Sequence, residues 1–408
     1  MKKTDKKPKK WIKKRHTLVR NIAFALLYPY SRIKYGLRIE KLKEGKKRQY
    51  LVLYNHQTAF DQFFAGMLFK KHLYYVASED LFSNGFTSKL IKYLVNPIPI
   101  KKQSTDVRAI MTCIKVAKEG GSIAIAPEGN RTYSGKTEYM NPSIASLAKK
   151  LMLPIAFVKI EGGYGTHPRW SDVVRKGRTV CRVSRVMEPE EYSAVSDADL
   201  AEVIKKELYV NEANAENEYF HKKRAEYLER AIYVCPECGL SSFESQNDKI
   251  TCKKCGLNAK YTERKELISE NANFSFCFAS DWYDYQKQFI LNLDLSPYYE
   301  KAMYKERAML REVIPYEKKL LIFDDAEVSL YANKVTVSCG EKSEEFSFDE
   351  VSSVAVLGKN KLNIYIGKRI FQLKSDKRFN ALKYVHIFYR YKQLQKGEDD
   401  GKFTFLGI

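Results

Sequence analysis

The sequence predicts an α/β protein: a mostly parallel sheet flanked by helices, then a small four-cysteine module, then a C-terminal domain of sheet plus helix. Three observations carry this. Across residues 36–210, apolar strand-like runs alternate with segments of helical period, the pattern of βα units. Two C-x-x-C pairs lie thirteen residues apart, at 235–238 and 252–255. Residues 317–395 hold a series of short strand-like runs followed by one amphipathic helix. At roughly 150 residues per domain, 408 residues allow about two or three domains. A composition of 44% hydrophobic residues excludes disorder of the chain as a whole.

The net charge of +22 favours polyanionic partners, either nucleic acid or an anionic membrane. It is concentrated at the start, where residues 1–20 carry ten Lys/Arg and one Asp. The uncharged run that follows, residues 21–31, falls short of the roughly 20 apolar residues that span a bilayer. Pro29 interrupts it and no small-x-small cleavage site follows cleanly, which argues against a signal peptide. Residues 1–35 are therefore expected to be a basic tail and an interfacial segment on an anionic membrane surface. Trp11 and the basic residues would sit among headgroups, with Ile22, Phe24, Leu26 and Leu27 in the acyl boundary.

Within 36–210, "YLVLYN" reads as a buried strand, and Phe60, Phe63, Phe64, Met67 and Leu68 follow at helical spacing. Asp106 is the expected N-cap of the next helix and Gly120 its stop. "SIAIAPEG" is a strand ending in a turn, "NPSIASLAKKL" a helix capped by Asn141, and "LPIAFVKI" a strand. Ligands of such sheets gather where strands end, and His56 and Glu128 both sit at expected strand ends. Residues 211–232 are expected to form a charged linker helix, 233–258 the cysteine module, 259–316 a connector, 317–395 the last domain and 396–408 a tail.

Cys235, Cys238, Cys252 and Cys255, with Gly239 and Gly256 after the pairs, have the spacing of two thiolate knuckles and resemble a zinc ribbon holding structural Zn2+. Cys113, Cys181, Cys277 and Cys339 are expected to be packing residues. Eight cysteines so placed suit a reducing compartment rather than a disulfide framework.

Three stretches carry candidate chemistry. In "NHQTAFD", Asp61 can orient the His56 imidazole for proton transfer; equally, Thr58-x-x-Asp61 fits a capping box. In "APEGNRT", Gly129 permits close backbone approach and Arg131 offers a fork for phosphate, or Glu128 and Arg131 form an ordinary ion pair. Lys101 and Lys102 in "IPIKK" read as surface decoration when taken alone.

Taken together, N-H-x-x-x-x-D, "IPIKK", "PEGNRT" and "LPIAFV" stand in the order and spacing of four blocks that resemble the 1-acyl-sn-glycerol-3-phosphate acyltransferases, over about residues 18–210. The resemblance implies the glycerolipid acyltransferase type of sheet, with His56 the general base and Asp61 its orienter. It implies that Lys101, Lys102, Glu128, Gly129, Arg131 and Thr132 bind the acceptor and that Pro154 shapes the acyl site. Lys102 stands where the family usually has arginine, which keeps the charge and loses the bidentate fork. An acyl thioester is already activated, so the reaction needs no cofactor. Acyl-CoA or acyl-ACP is the implied co-substrate, and acyl carrier protein thereby a partner.

The expected activity is transfer to the free hydroxyl of a lysolipid acceptor, lysophosphatidic acid, giving phosphatidic acid. The expected place is the cytoplasmic face of the cell membrane, peripheral and monotopic. The alternatives are another lysolipid or alcohol acceptor, and a nucleic-acid-binding zinc-ribbon protein. The remoteness in sequence of the basic N-terminus from the cysteines speaks against nucleic acid. The last domain has the strand-then-helix series of pleckstrin-homology-like domains.

Overall fold

The structure is a computed structural model and describes residues 10–42, 48–100, 106–314 and 317–397. Among them, one sheet joins β1 (Leu37–Glu40), β2 (Leu51–Tyr54), β3 (Leu73–Ser78), β4 (Ile98–Ile100), β5 (Ser122–Ile125), β6 (Ile155–Glu161) and β7 (Thr179–Met187) in the order β1-β7-β6-β2-β5-β3-β4. Its neighbours are parallel except β6 with β7, so the sheet is mostly parallel, as expected.

The helices are α1 (Lys14–Lys34), α2 (Asp61–Leu68), α3 (Phe86–Leu94), α4 (Val107–Lys118), α5 (Ser143–Leu151), α6 (Gly163–Thr166), α7 (Pro189–Tyr192) and α8 (Asp197–Leu208). Side chains alternate across a strand. Leu51 and Leu53 of β2 therefore join Val116 of α4, Ala148 of α5 and Ile204 of α8 in one core. Val52 and Tyr54 join Phe64 and Leu68 of α2 in the other. Asp106 caps α4, accepting from the backbone N–H groups of Arg108 and Ala109. Asn141 Oδ1 accepts from Ser143 N at the start of α5, which begins one residue later than its sequence signal.

The cysteine module holds β8 (Val234–Cys235) paired with β9 (Gly239–Leu240), and a meander of β10 (Phe243–Gln246), β11 (Lys249–Cys252), β12 (Asn258–Tyr261) and β13 (Leu267–Ile268). Helix α9 (Ala279–Leu291) packs on it through the fully buried Trp282, whose Nε1 donates to Val234 O at 2.8 Å. The last sheet is antiparallel throughout, with the strands that open and close it in sequence paired to each other. Its strands are β14 (Tyr304–Ile314), β15 (Lys318–Leu330), β16 (Lys334–Cys339), β17 (Lys342–Ser347), β18 (Ser353–Leu357), β19 (Lys361–Ile366) and β20 (Arg369–Ser375); α10 (Leu382–Lys396) closes it.

Four expectations are corrected. Residues 211–232 form no α-helix: the chain there makes isolated bridges from Asn211 to Lys136 and from Phe220 to Lys176, and only one short 3-10 turn. Tertiary partners override helix propensity. Buried Arg224 donates to Tyr261 O at 2.7 Å, and buried Arg230 to Asp172 Oδ1 at 2.8 Å. The sequence boundaries at 258 and 316 cut through elements, because β12 begins at Asn258 and the last sheet already begins at Tyr304. Cys277 and Cys339 are exposed, whereas Cys113 and Cys181 are buried as expected. Trp11 is no free headgroup anchor, since its indole donates to Asn96 O at 3.1 Å and packs on the core beside α4.

Candidate active site

Asn55 extends β2 with its side chain, donating to Ile160 O at 2.8 Å and accepting from Ile160 N at 2.7 Å. This carries His56 past the end of the sheet into the turn before α2. His56 Nδ1 lies 2.8 Å from Asp61 Oδ2. An ionised carboxylate only accepts, so the ring proton belongs on Nδ1 and the lone pair on Nε2. Asp61 is fully buried while the imidazole keeps 21% exposure, which leaves it reachable. Asp61 Oδ2 also accepts from Gln57 N at 2.6 Å and Thr58 N at 2.8 Å, and Oδ1 accepts from Thr58 Oγ1 at 2.7 Å. Loop closure and imidazole contact, alternatives by spacing alone, are made by one carboxylate.

The loop after β5 clamps the same turn. Glu128 Oε1 accepts from His56 N at 2.7 Å, and Thr132 N donates to His56 O at 3.0 Å. Burial pushes the Glu128 carboxyl well above the usual carboxylate range, against the stabilising His56 N–H. Gly129 takes a left-handed φ of +71°, a conformation open to glycine without strain. The Glu128–Arg131 ion pair does not form. Among the described residues Arg131 has no acid partner, and its Nη1 is buried with no hydrogen-bond partner. Burial, then repulsion from Arg169, lowers its guanidinium to about 10. A buried donor left unsatisfied on a cation can accept an anionic partner. Burial also lowers the pKa of His56 below 6.5; Asp61 opposes this and the Arg131 and Arg169 cations add to it.

Thr132 serves the loop itself, its Oγ1 accepting from Gly135 N at 3.0 Å. Pro154 is not brought to His56. It lies at the opposite end of the sheet, where its carbonyl accepts from Leu51 N, on the order of 15 Å back along β2. Lys101 and Lys102 lie outside the described residues.

Sequence reasoning missed Arg169. It is buried with its Nη1 donating to Arg131 O at 3.0 Å and its Nη2 to Val356 O of β18 at 3.1 Å, and it lies 4.3 Å over the Tyr133 ring. The last domain therefore reaches the loop after β5. Nearby His167 is buried, and burial, then Lys359 and Arg131, lowers its pKa to about 3, so it stays neutral.

The four cysteine sulfurs lie within 4.8 Å of one another. Cys235 Sγ is 3.5 Å from Cys255 Sγ, and Cys238 Sγ 3.6 Å from Cys252 Sγ. Disulfide sulfurs would be about 2 Å apart. Tetrahedral Zn–S bonds of about 2.3 Å set sulfurs at about 3.8 Å, so the donor set fits a structural zinc with no open position.

Residues 37–161, which include both clamped loops, match the family model described as Acyltransferase. This segment is an acyltransferase domain, and its reaction class is acyl transfer. Comparison with curated proteins finds no match. Among solved structures, the 1-acyl-sn-glycerophosphate (LPA) acyltransferase PlsC from Thermotoga maritima is similar over 48% of this chain and 76% of its own, at 22% identity and a TM-score of 0.39. The N-terminal PH domain of human ARAP2 is similar over 22% of this chain and 81% of its own, at 15% identity and a TM-score of 0.18.

Proposed function

We propose that the protein moves an acyl group from an acyl thioester to the free hydroxyl of 1-acyl-glycerol-3-phosphate, giving phosphatidic acid. The observation that carries this reading is the His56–Asp61 pair on a turn clamped by the loop of Arg131, whose Nη1 is buried with no partner among the described residues. In the proposed step Nε2 takes the hydroxyl proton as the oxygen attacks the thioester carbonyl. The C–S bond then breaks, and the imidazolium returns its proton to the departing thiolate. Asp61 stabilises the imidazolium in between. Such base catalysis contributes about 10²–10⁴-fold. Arg131, backed by Arg169, would hold the acceptor phosphate and so fix its hydroxyl near the base.

The proposed place of action is a membrane surface, reached without crossing it. Among the described residues no helix is long and apolar enough to span a bilayer. Helix α1 exposes Leu18, Ile22, Leu26, Tyr30 and Ile33, steps of four, four, four and three that form one stripe, and α3 exposes Phe86, Leu90 and Tyr93. Phe24 and Leu27, expected in the acyl boundary, instead pack inward.

The test is transfer by the full chain to lysophosphatidic acid and to a monoacylglycerol lacking phosphate, with acyl-CoA and acyl-ACP as donors and products read by mass. The phosphate-bearing acceptor should be strongly preferred, and His56→Ala should abolish the product. Equal turnover of both acceptors would move the reading to another alcohol; turnover by folded His56→Ala would sink it.

A further inference from the structure

Lys265 sits on the turn between β12 and β13, only 2% exposed and at a left-handed φ of +71° that a lysine rarely adopts. Its ammonium lies 3.3 Å from Glu212 Oε2 and 5.2 Å from the Tyr219 ring. Glu212 is buried too, and its other oxygen accepts from Gly162 N and, at 3.3 Å, from Gln57 Nε2. Gln57 is the residue after His56. Its Oε1 accepts from Tyr164 N at 3.1 Å, and its backbone N–H donates to Asp61 Oδ2 at 2.6 Å. The start of α6 is packed on this amide: a Cβ at Gly163 would come within 2.7 Å of Gln57 Oε1.

The contacts thus run unbroken from the cysteine module to the catalytic turn. We propose that Lys265 is a positioning residue: it neutralises Glu212, Glu212 with the α6 turn fixes the Gln57 side chain, and the Gln57 peptide keeps Asp61 aimed at His56. A buried carboxylate without its cation is an unstable acceptor. Loss of Lys265 releases two N–H donors as well as one ion pair, and the slack reaches the pair that moves the proton. A pair that merely stapled the module to the sheet would have no route to Gln57. The module is thereby part of the catalytic device, not an attachment to it. The kinetic side of this inference rests on the acyl-transfer reading, the structural side does not.

The experiment compares full-chain wild type, Lys265→Met, Glu212→Gln and the double variant, by acyl transfer to lysophosphatidic acid and by hydrogen exchange of the peptide covering residues 55–62. Misplacement of a catalytic group by about 1 Å costs about 10²-fold. Lys265→Met should lower kcat about tenfold to a hundredfold with KM little changed, and speed exchange in 55–62. In the double variant a neutral amide oxygen still accepts from Gly162 and Gln57 with no charge left buried, so it should recover most of both losses. Wild-type kcat and exchange in folded Lys265→Met, or a double variant no better than that single one, would overturn the proposal. If Lys265→Met does not fold, Glu212→Gln against the double variant decides by the same two readouts. Turnover in folded His56→Ala would remove the acyl-transfer reading alone, and the exchange result then decides the relay by itself.

Discussion

Asp61 Oδ2 accepts three N–H groups, from His56, Gln57 and Thr58, which makes Asp61→Asn an informative substitution. The amide can set its oxygen on the same three donors and its NH2 on Thr58 Oγ1, so the turn survives and only the negative charge facing the imidazole goes. A folded Asp61→Asn protein should lose about 10²–10⁴-fold in kcat, and adding His56→Ala should cost little more, because the two act as one unit. Near-wild-type turnover in Asp61→Asn would show that the carboxylate only closes the loop. The same pair sets a pH profile. His56 must be neutral to act, and burial lowers its pKa below 6.5, so kcat/KM should rise with pH through a midpoint below 6.5 and level off above it. Arg131 contributes to that lowering, so Arg131→Ala should move the midpoint up, besides weakening phosphate-bearing acceptors. An acid limb that moves down in this variant contradicts the assignment of the base. The contact of His56 with Asp61 was legible because the two stand five residues apart across one strand–turn–helix junction. Arg169 was not, because its carbonyl partners at 131 and 356 are 38 and 187 residues away and leave no local pattern.

Helices and strands were legible where a continuous apolar run or a helical period marks burial. The strand at Leu51–Tyr54 is buried at every position, and α4 carries its cap and stop in the sequence. Strand β14 was not, because charged residues interrupt "YKERAMLREVI" and its buried positions, Tyr304, Ala308, Leu310 and Val313, follow no regular alternation. Helix α1 is an intermediate case: Pro29 interrupts the apolar run, but the helix continues through it from Lys14 to Lys34. That continuity gives the exposed stripe its length, and a test at this scale. Replacing Ile22 and Leu26 by Ser leaves the charge unchanged. It should weaken binding to both neutral and anionic vesicles, whereas added salt should weaken only the anionic case. Binding unchanged by the double substitution would locate the membrane contact elsewhere. The cysteine module makes a second prediction: one zinc per chain by metal analysis, lost in Cys252→Ser, with faster hydrogen exchange across 233–268. Through Lys265 and Glu212 that loosening should also reduce acyl transfer. Full metal content in Cys252→Ser would exclude this cysteine as a ligand.

At the scale of the whole molecule, the appended parts share a core with the acyltransferase domain. Tyr133, Tyr164 and Trp170 lie in one continuous apolar cluster with Ile232, Tyr261 and Trp282 of the middle region and with Tyr384 and Phe388 of α10. Buried arginines cross the same junction. Arg175 lies 4.8 Å from the Trp170 ring and donates to Arg224 O at 2.5 Å, and Arg230 donates to Trp170 O at 2.8 Å. By sequence alone the modules read as separable, because nothing in "GGYGTHPRW" shows that its tryptophan is buried by residues far along the chain. A chain ending at residue 230 would uncover Tyr133, Tyr164 and Trp170. At the roughly 1.5–3 kcal/mol for burying a large apolar side chain, these three alone approach the whole 5–15 kcal/mol stability of a typical domain. It would also strip Arg169, which donates to Arg131 O, of its contact with Val356 O. The truncated chain should therefore aggregate or unfold at lower denaturant than the full chain and lose acyl transfer. Size-exclusion chromatography, urea titration and the transfer assay read these three outcomes. A monodisperse truncated chain with full-length turnover would show that the junction is dispensable and that the His56 turn is held by its own domain.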